Sequence, residues 1–245
     1  MKVVFFGATK GMGRALARRM ASRGDRLFLL GRNEAELVRS AGDLNLHGEG
    51  TCVGTGYCDL LQPESFAEAL SRADEALGGF DTVVLSAAAF ATQDDLEADS
   101  DACRQLLTVD LVHSVLFCEE ARKRLVQRGG GTLCAFSSVA GERARKPVIL
   151  YGAAKAGLSH YLEGLDHKYR AGGLRTVCVK PGFVKTGMTA ALDPPPFAGE
   201  PDDVARVVLR AIDRGRPVVY APPIWRWIML TIRLLPRFVM RKIGF

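Results

Sequence analysis

The chain begins with a continuous apolar run that leads directly into a glycine-rich turn. Residues 2–6 read K-V-V-F-F, which is typical of a central parallel strand buried on both faces. The turn that follows, G-A-T-K-G-M-G, has glycines at positions 7, 11 and 13 and precedes a helical pattern. Such glycines let the backbone approach a pyrophosphate at the amino end of a helix. The feature predicts a dinucleotide-binding α/β fold, with a purely structural turn as the alternative.

Strand and helix patterns alternate along the rest of the chain. With 245 residues, 48% of them hydrophobic, and no linker-like stretch, the chain fits one domain. Further strands are expected at 27–30, 51–57, 82–85, 132–136, 175–180 and 217–220. Helices are expected after the glycine turn, at 62–77, 101–127, from about 150, and at 202–214. We predict a doubly wound, Rossmann-like parallel sheet of about seven strands with helices on both faces.

The cysteines and the amino terminus indicate the compartment. The six cysteines show no C-x-x-C spacing, and several lie in apolar runs, where a thiol behaves as a small hydrophobic group. Neither a metal site nor a disulfide is expected. The first strand begins within two residues of Met1, which leaves no room for a leader with an apolar core. A cytoplasmic location is therefore expected.

The stretch from 134 to 157 holds the candidate catalytic residues. Ser138 follows the strand-like run 132–136, and Tyr151 and Lys155 lie four residues apart on a predicted helix, hence on one face. A nearby cation favours the phenolate and brings the phenol's pKa toward neutral pH, so Tyr151 can protonate a carbonyl oxygen that Ser138 holds. A surface tyrosine beside a solvated lysine is the alternative.

A second cluster of charge predicts which dinucleotide is bound. Arg32 lies nineteen residues after Gly13, at the end of the second strand, and Lys10 lies inside the glycine turn. At this corner a carboxylate suits a ribose hydroxyl, whereas arginine suits a ribose phosphate. Two cations and no acid predict NADP(H). A solvated loop position is the alternative for Arg32.

Together these motifs resemble the short-chain dehydrogenase/reductase family over nearly the full chain. Within it, the stretches S-S-V-A-G-E-R-A-R-K, Y-G-A-A-K-A-G-L and A-P-P-I-W-R are most similar to decaprenylphosphoryl-2-keto-pentose reductases. The resemblance implies a catalytic set of Ser138, Tyr151, Lys155 and Asp110, the last on the position of the family's asparagine. The residues expected at the cofactor are Gly7, Thr9, Lys10, Gly11, Met12, Gly13, Arg32, Asp59, Leu60, Ala87, Tyr151, Lys155, Pro181, Gly182, Val184 and Thr186.

Two positions depart from the family pattern. The usual N-N-A-G after the fourth strand is S-A-A-A at 86–89, which removes an asparagine that braces the sheet. Asp110 replaces an asparagine, and it can either accept from a water held by Lys155 or pair with that ammonium and weaken its effect on Tyr151. His113, one turn later, is interpreted as a packing residue rather than a relay member. Residues 188–199 are expected to form a mobile flap over the substrate.

The segment 222–245 differs from the domain that precedes it, residues 1–221. It contains four arginines, one lysine and no acidic residue, so it holds five of the chain's six net positive charges. This placement argues against a nucleic-acid-binding face on the domain. The arginines share one face if Pro236 only kinks a helix, and they interrupt the apolar residues too often for a membrane span. We expect an interfacial helix on anionic lipid, with packing on the domain or at a subunit contact as the alternative.

The combined interpretation is an NADPH-dependent reductase that transfers a hydride to a ketone. A lipid-linked keto-sugar is the first substrate expectation, and another hydrophobic ketone or a 3-ketoacyl group is the second. The resemblance also implies a homodimer or homotetramer. The basic segment 222–245 adds the expectation that the protein lies at the inner face of the membrane. A non-catalytic NADPH sensor and a membrane adaptor are the rival interpretations.

Overall fold

All strands belong to one parallel sheet in the computed structural model, which describes residues 1–243. The strands are β1 (Lys2–Phe6), β2 (Arg26–Gly31), β3 (Cys52–Tyr57), β4 (Thr82–Leu85), β5 (Gly131–Phe136), β6 (Leu174–Pro181) and β7 (Val218–Ala221). Their order is β3-β2-β1-β4-β5-β6-β7. The predicted seven-stranded, doubly wound sheet is confirmed.

Helices cover both faces of this sheet. They are α1 (Gly11–Ser22), α2 (Glu34–His47), α3 (Ser65–Leu77), α4 (Gln93–Ala98), α5 (Ser100–Leu107), α6 (Ser114–Gln127), α7 (Ile149–Tyr169), α8 (Pro201–Arg214), α9 (Trp225–Leu234) and α10 (Arg237–Lys242). One core lies under α1, α2 and α8, and the other lies under α3, α6 and α7. Strand β1 contributes Val3 and Phe5 to one core and Val4 and Phe6 to the other, because successive side chains alternate.

The strand order reverses between β1 and β4, and this reversal fixes where a ligand can bind. In such sheets a crevice opens beyond the carboxyl ends of the strands at the reversal point. The glycine turn follows β1 there, residues 86–89 follow β4, Ser138 follows β5 and Gly182 follows β6. The sheet therefore brings the predicted site segments to one edge.

The predicted helix at 101–127 is continuous but not uniform. Between α5 and α6, residues Thr108–His113 form a π-helical turn that contains Asp110. Such turns are frequent at functional sites because the extra residue redirects side chains. The sequence pattern predicted the helix but did not reveal this turn.

The carboxyl-terminal segment forms two short helices rather than one kinked helix. Leu235 and Pro236 are both extended, with ψ of 131° and 153°, because the residue before a proline disfavours the helical region. The condition under which the arginines would share one face, a helix that Pro236 only kinks, is therefore not met. Within residues 1–243 no helix is both long and apolar enough to cross a membrane. Gly244 and Phe245, the end of the predicted segment, lie outside the described residues.

Candidate active site

Tyr151 and Lys155 lie on successive turns at the start of α7, as predicted. The Lys155 ammonium is 5.5 Å from the centroid of the Tyr151 ring. Lys155 is buried and donates a hydrogen bond of 3.4 Å to the carbonyl oxygen of Phe136, at the end of β5. The lysine thus links the phenol to the strand end that carries Ser138.

Asp110 neutralises this buried lysine. Its Oδ2 lies 3.2 Å from Lys155 Nζ, and its Oδ1 accepts a hydrogen bond of 2.7 Å from the backbone N–H of Ala89. Both side chains are almost fully buried. The sequence left open whether Asp110 accepts from a water held by Lys155 or pairs with the ammonium directly. In the structure the two side chains form a direct ion pair.

The protonation of the pair and of the phenol follows from burial and charge. Burial raises the pKa of Tyr151, and the Asp110 charge adds to this rise, although the Lys155 ammonium and a hydrogen bond from Ser138 oppose it. Burial lowers the pKa of Lys155, but Asp110 and Tyr151 together raise it above its usual value. The expectation that the cation brings the phenol's pKa toward neutral pH is therefore wrong for this state, because desolvation outweighs it.

Two adjacent serines at the end of β5 have different roles. Ser138 caps a short 3-10 turn, Val139–Gly141, where its hydroxyl accepts a hydrogen bond of 3.1 Å from Ala140 N–H. Ser137 is buried and donates a 2.8 Å hydrogen bond to the carbonyl oxygen of Lys155. Ser137 thereby fixes α7 against the strand end. No local pattern in the sequence distinguished this role of Ser137 from that of Ser138.

The glycine turn presents free backbone donors. A Cβ at Gly13 would lie 2.1 Å from the carbonyl oxygen of Gly7, and Gly7 itself has a φ of 101°. Lys10 is the N-cap of α1, and within residues 1–243 no side chain caps this helix and no acid lies in its first turn. An uncapped helix end with close backbone packing fits a pyrophosphate. Met12 instead packs against the core.

Ser86 replaces the brace that the family's asparagine would provide. Its hydroxyl donates a 3.0 Å hydrogen bond to the carbonyl oxygen of Gly7, and the Ala87 N–H donates a 3.2 Å bond to Phe6. Strand β4 is therefore still tied to the glycine turn. The asparagine is absent, as the sequence indicated, and the Ser86 hydroxyl makes a contact between the two segments.

The predicted ribose corner is basic but not free of acid. Arg32 and Lys10 are both exposed and available to a ligand. Glu36 lies nearby, where a hydrogen bond from Arg39 lowers its pKa and the charges of Lys10 and Arg14 lower it further. The expected absence of an acid is wrong, although Arg39 pairs with that carboxylate at 2.6 Å.

The loop after β3 holds Asp59 and Leu60 in fixed positions. Asp59 accepts a 3.0 Å hydrogen bond from Leu61 N–H, and the Leu60 side chain is buried in the core. The carbonyl oxygen of Leu60 lies 2.5 Å from His113 Nδ1, and the His113 ring packs edge-on against Phe66. His113 is thus a packing residue, as interpreted.

The loop after β6 lies against the glycine turn. Pro181 ends the strand, Val184 is buried, and Thr186 Cγ2 would lie 3.3 Å from a Cβ placed at Gly11. The two loops thereby enclose one space between them. Thr9 contributes its backbone carbonyl oxygen to this region, where it accepts a 2.8 Å hydrogen bond from Arg14 Nε.

Trp225 of α9 covers this loop, which the sequence did not indicate. A Cβ at Gly182 would lie 2.1 Å from Trp225 Nε1, and that nitrogen donates a 3.4 Å hydrogen bond to the carbonyl oxygen of Phe197. Phe197 belongs to the predicted flap and has a φ of 68°, a conformation that a bulky residue rarely adopts. The flap is thus anchored at one point by the segment after β7.

Glu142 ties the same helix to the loop after Ser138. Its buried carboxylate accepts hydrogen bonds from Lys180 at the end of β6, from the Tyr220 hydroxyl at 3.1 Å, and from Arg233 of α9 at 3.2 Å. Trp225, Met229 and Ile232 form the buried face of α9, where they pack with Val139. Residues 225–232 therefore pack on the domain, which was the alternative to an interfacial helix.

Comparisons with known proteins agree with this geometry. A family model described as short chain dehydrogenase matches residues 1–196. An uncharacterized oxidoreductase of Mycobacterium tuberculosis is 33% identical over 98% of this chain and 96% of its own length. Another from Streptomyces coelicolor is 34% identical over 98% and 95%. A variant of actinorhodin polyketide ketoreductase, solved with NADPH, has the same fold, with a TM-score of 0.80 at 20% identity over 89% of this chain and 94% of its own.

Proposed function

The chain belongs to the short chain dehydrogenase family of oxidoreductases, and from this premise we propose that it is an NADPH-dependent reductase acting on a ketone. The observation that carries the proposal is the buried ion pair of Lys155 and Asp110 with the partly buried Tyr151 and Ser138 beside it. It lies at the same sheet edge as the uncapped amino end of α1. A sensor that only bound the dinucleotide would not need a phenol, a hydroxyl and a buried ammonium together.

Each of these side chains has a defined task in the reaction. NADPH, when bound, supplies the hydride that is added to the carbonyl carbon. Tyr151 donates its proton to the carbonyl oxygen, and because burial raises the pKa of the phenol, it remains protonated at neutral pH. Ser138 orients the oxygen, and Lys155 stabilises the phenolate that forms while it binds the nicotinamide ribose. The product is an alcohol.

Substitution of Tyr151 by phenylalanine tests the assignment. We expect ketone reduction to fall by about 10²- to 10⁴-fold, the usual contribution of a general acid, with NADPH affinity retained. Tyr161→Phe is the matched control, because Tyr161 is on the same helix with its hydroxyl on Glu119. A Tyr151→Phe protein with full activity would refute the role. Absence of turnover with every ketone in a panel would favour the sensor.

The substrate that fits best is a hydrophobic ketone, with a lipid-linked keto-sugar as the first candidate and a 3-ketoacyl group as the second. Large apolar side chains are exposed on the flap, namely Met188, Leu192 and Phe197. Trp225 joins this flap to the wall of the site. Apolar groups at the entrance favour a substrate that carries an apolar chain.

The outward face of α9 supports a second proposal, contact with an anionic membrane. Trp227, Leu230 and Leu234 are 62%, 48% and 77% exposed, opposite the buried Trp225. Arg226 is exposed beside this face and lies over the Trp227 ring, so a cation and apolar side chains share one surface, as on a helix that lies in a lipid interface. The proposal places the protein at the inner membrane face.

Vesicle cosedimentation tests this contact without uncovering the core. We expect binding to vesicles of anionic lipid, and its loss when Trp227, Leu230 and Leu234 are all replaced by serine. Leu46→Ser is the control, because Leu46 is even more exposed, at 87%, but lies on α2. Equal binding by the triple variant would end the membrane proposal. A change in oligomeric state instead would assign the face to a second copy of the chain.

A further inference from the structure

Arg145 is partly buried and has no hydrogen-bond partner among residues 1–243. Six other arginines are partly buried in the described chain, and each donates a hydrogen bond to a protein oxygen: Arg14, Arg18, Arg19, Arg122, Arg124 and Arg143. The arginines that lack such a bond are otherwise exposed to water. Arg145 is the exception to both rules.

The isolation of this guanidinium is unfavourable in the free protein. Its Nε is fully buried without a hydrogen-bond partner, and burial lowers the pKa of Arg145, with no opposing contribution from any described carboxylate. Buried donors in native proteins are nearly always satisfied, and an exception indicates a missing water, ion or ligand. A bound anion would satisfy both the charge and the donor.

The position of Arg145 in the chain indicates which ligand would carry this anion. The segment between Ser138 and Tyr151 begins and ends at the proposed carbonyl site, and Arg145 is the N-cap of the 3-10 turn Lys146–Val148 that leads into α7. This turn also adjoins α4, where Gln93 accepts a 3.1 Å hydrogen bond from Leu150 N–H. Arg145 therefore lies in the segment that connects Ser138 to Tyr151, next to α7.

The neighbouring cations are already engaged. Arg143 donates a 2.8 Å hydrogen bond to the carbonyl oxygen of Leu235, and Lys146 donates one of 2.8 Å to that of Arg241. Both hold the segment after β7 in place. Of the three cations in this segment, Arg145 alone is left for a ligand from outside residues 1–243.

We propose that Arg145 binds an anionic group, a phosphate or a carboxylate, that the substrate carries close to its ketone. The planar guanidinium presents paired donors that match the oxygens of either group. The inference rests on the proposed reductase function and adds to it the charge of the substrate. Arg145 is then the residue that selects anionic ketones over neutral ones.

Matched substrates test the selection. The pairs are a 3-keto acid with its methyl ester, and a ketose phosphate with the free ketose. In Arg145→Met we expect the ratio of kcat/KM for the charged to the neutral member to fall about tenfold or more, mainly through KM, with partial rescue in Arg145→Lys. The pair with the larger change identifies carboxylate or phosphate. Lys146→Met, which removes the adjacent charge, is the control and should leave both ratios unchanged.

Two outcomes separate this inference from the reductase proposal. If ketones are reduced but the ratios do not change in Arg145→Met, the anion site is refuted and the reductase stands. If the protein reduces no ketone, the anion site is tested by thermal unfolding instead. The measurement is the shift in Tm that inorganic phosphate causes with NADPH present. A shift that is lost in Arg145→Met supports the site without the reaction, and an equal shift in both proteins refutes it.

Discussion

The cofactor side and the substrate side of the cleft are built differently. On the cofactor side, the turn of residues 7–13 is shaped by backbone contacts within one short stretch, such as Gly13 against Gly7. On the substrate side, Glu142 accepts a hydrogen bond from Arg233, 91 residues later in the chain, and Trp225 donates one to Phe197, 28 residues earlier. The first region depends on the absence of side chains and the second on large, specific ones. The two should respond differently to mutation.

The largest effect is expected on the cofactor side. In Gly13→Ala the new Cβ would lie 2.1 Å from Gly7 O and 2.6 Å from Ser86 Oγ, so the turn must move. A displacement near 1 Å lowers activity on the order of 100-fold, and we expect NADPH binding to weaken accordingly in fluorescence titrations.

Gly42→Ala is the control for this change. Gly42 lies on α2 with open space around it, so alanine should stabilise the protein by about 0.5–1 kcal/mol. If Gly13→Ala binds NADPH normally, the backbone account of the cofactor side fails.

On the substrate side, Trp225→Ala should cost about 3–5 kcal/mol of unfolding free energy, the usual loss for a buried tryptophan. Its removal also frees Gly182 and Phe197, so KM for the ketone should rise. Thermal unfolding and steady-state kinetics measure the two effects.

Trp227→Ala, on the opposite face of α9, should change the unfolding free energy by less than about 0.5 kcal/mol. Equal losses in both variants would show that α9 is stabilised as a whole rather than through its buried face.

A smaller, selective effect is expected at the ribose corner. Arg32→Ser removes an exposed cation, and we expect NADPH affinity to fall about tenfold or more while NADH affinity is kept, since only the former has a ribose phosphate. Competitive titration of the two dinucleotides measures the ratio. Arg72→Ser, an exposed arginine on α3, is the control. Equal changes for both dinucleotides would contradict the assignment.

The smallest effect is expected at Asp110, which lies between the two sides of the cleft. The Asp110 charge raises the pKa of Tyr151, so Asp110→Asn should lower that pKa as long as Lys155 keeps its charge, and the amide oxygen can still accept from Ala89 N–H. Reduction requires the protonated phenol, so the alkaline limb of kcat/KM should move to lower pH. Oxidation of the alcohol requires the phenolate and should begin at lower pH. Asp101→Asn, on α5, is the control, and a limb that moves to higher pH would contradict the account.

Local patterns predicted the sheet because burial and chain reversal leave short-range signals. All seven strands were predicted from short apolar runs, and the shared face of Tyr151 and Lys155 from helical periodicity. Asp110 was identified only through a family resemblance, and its ion pair with Lys155 remained one of two possibilities. Spacing alone cannot tell whether two buried groups contact each other directly or through water.

What the sequence did not reveal depends on distant contacts. Trp225 and Trp227 are two residues apart in the same basic segment, and no local signal shows that one covers Gly182 while the other is exposed. The direction of the pKa shift at Tyr151 was also mispredicted, because desolvation depends on packing from several elements. Arg145 lies in the stretch S-S-V-A-G-E-R-A-R-K. Only the structure shows that Arg143 and Lys146 donate hydrogen bonds within the chain while Arg145 Nε does not.

The position of α9 after β7 separates the two walls of the cleft along the chain. All seven strands and the glycine turn precede Trp225, so a chain that ended at Ala221 would hold the whole sheet sequence but leave Gly182 uncovered. Truncation at that point would therefore remove part of the substrate-side wall and none of the turn at residues 7–13.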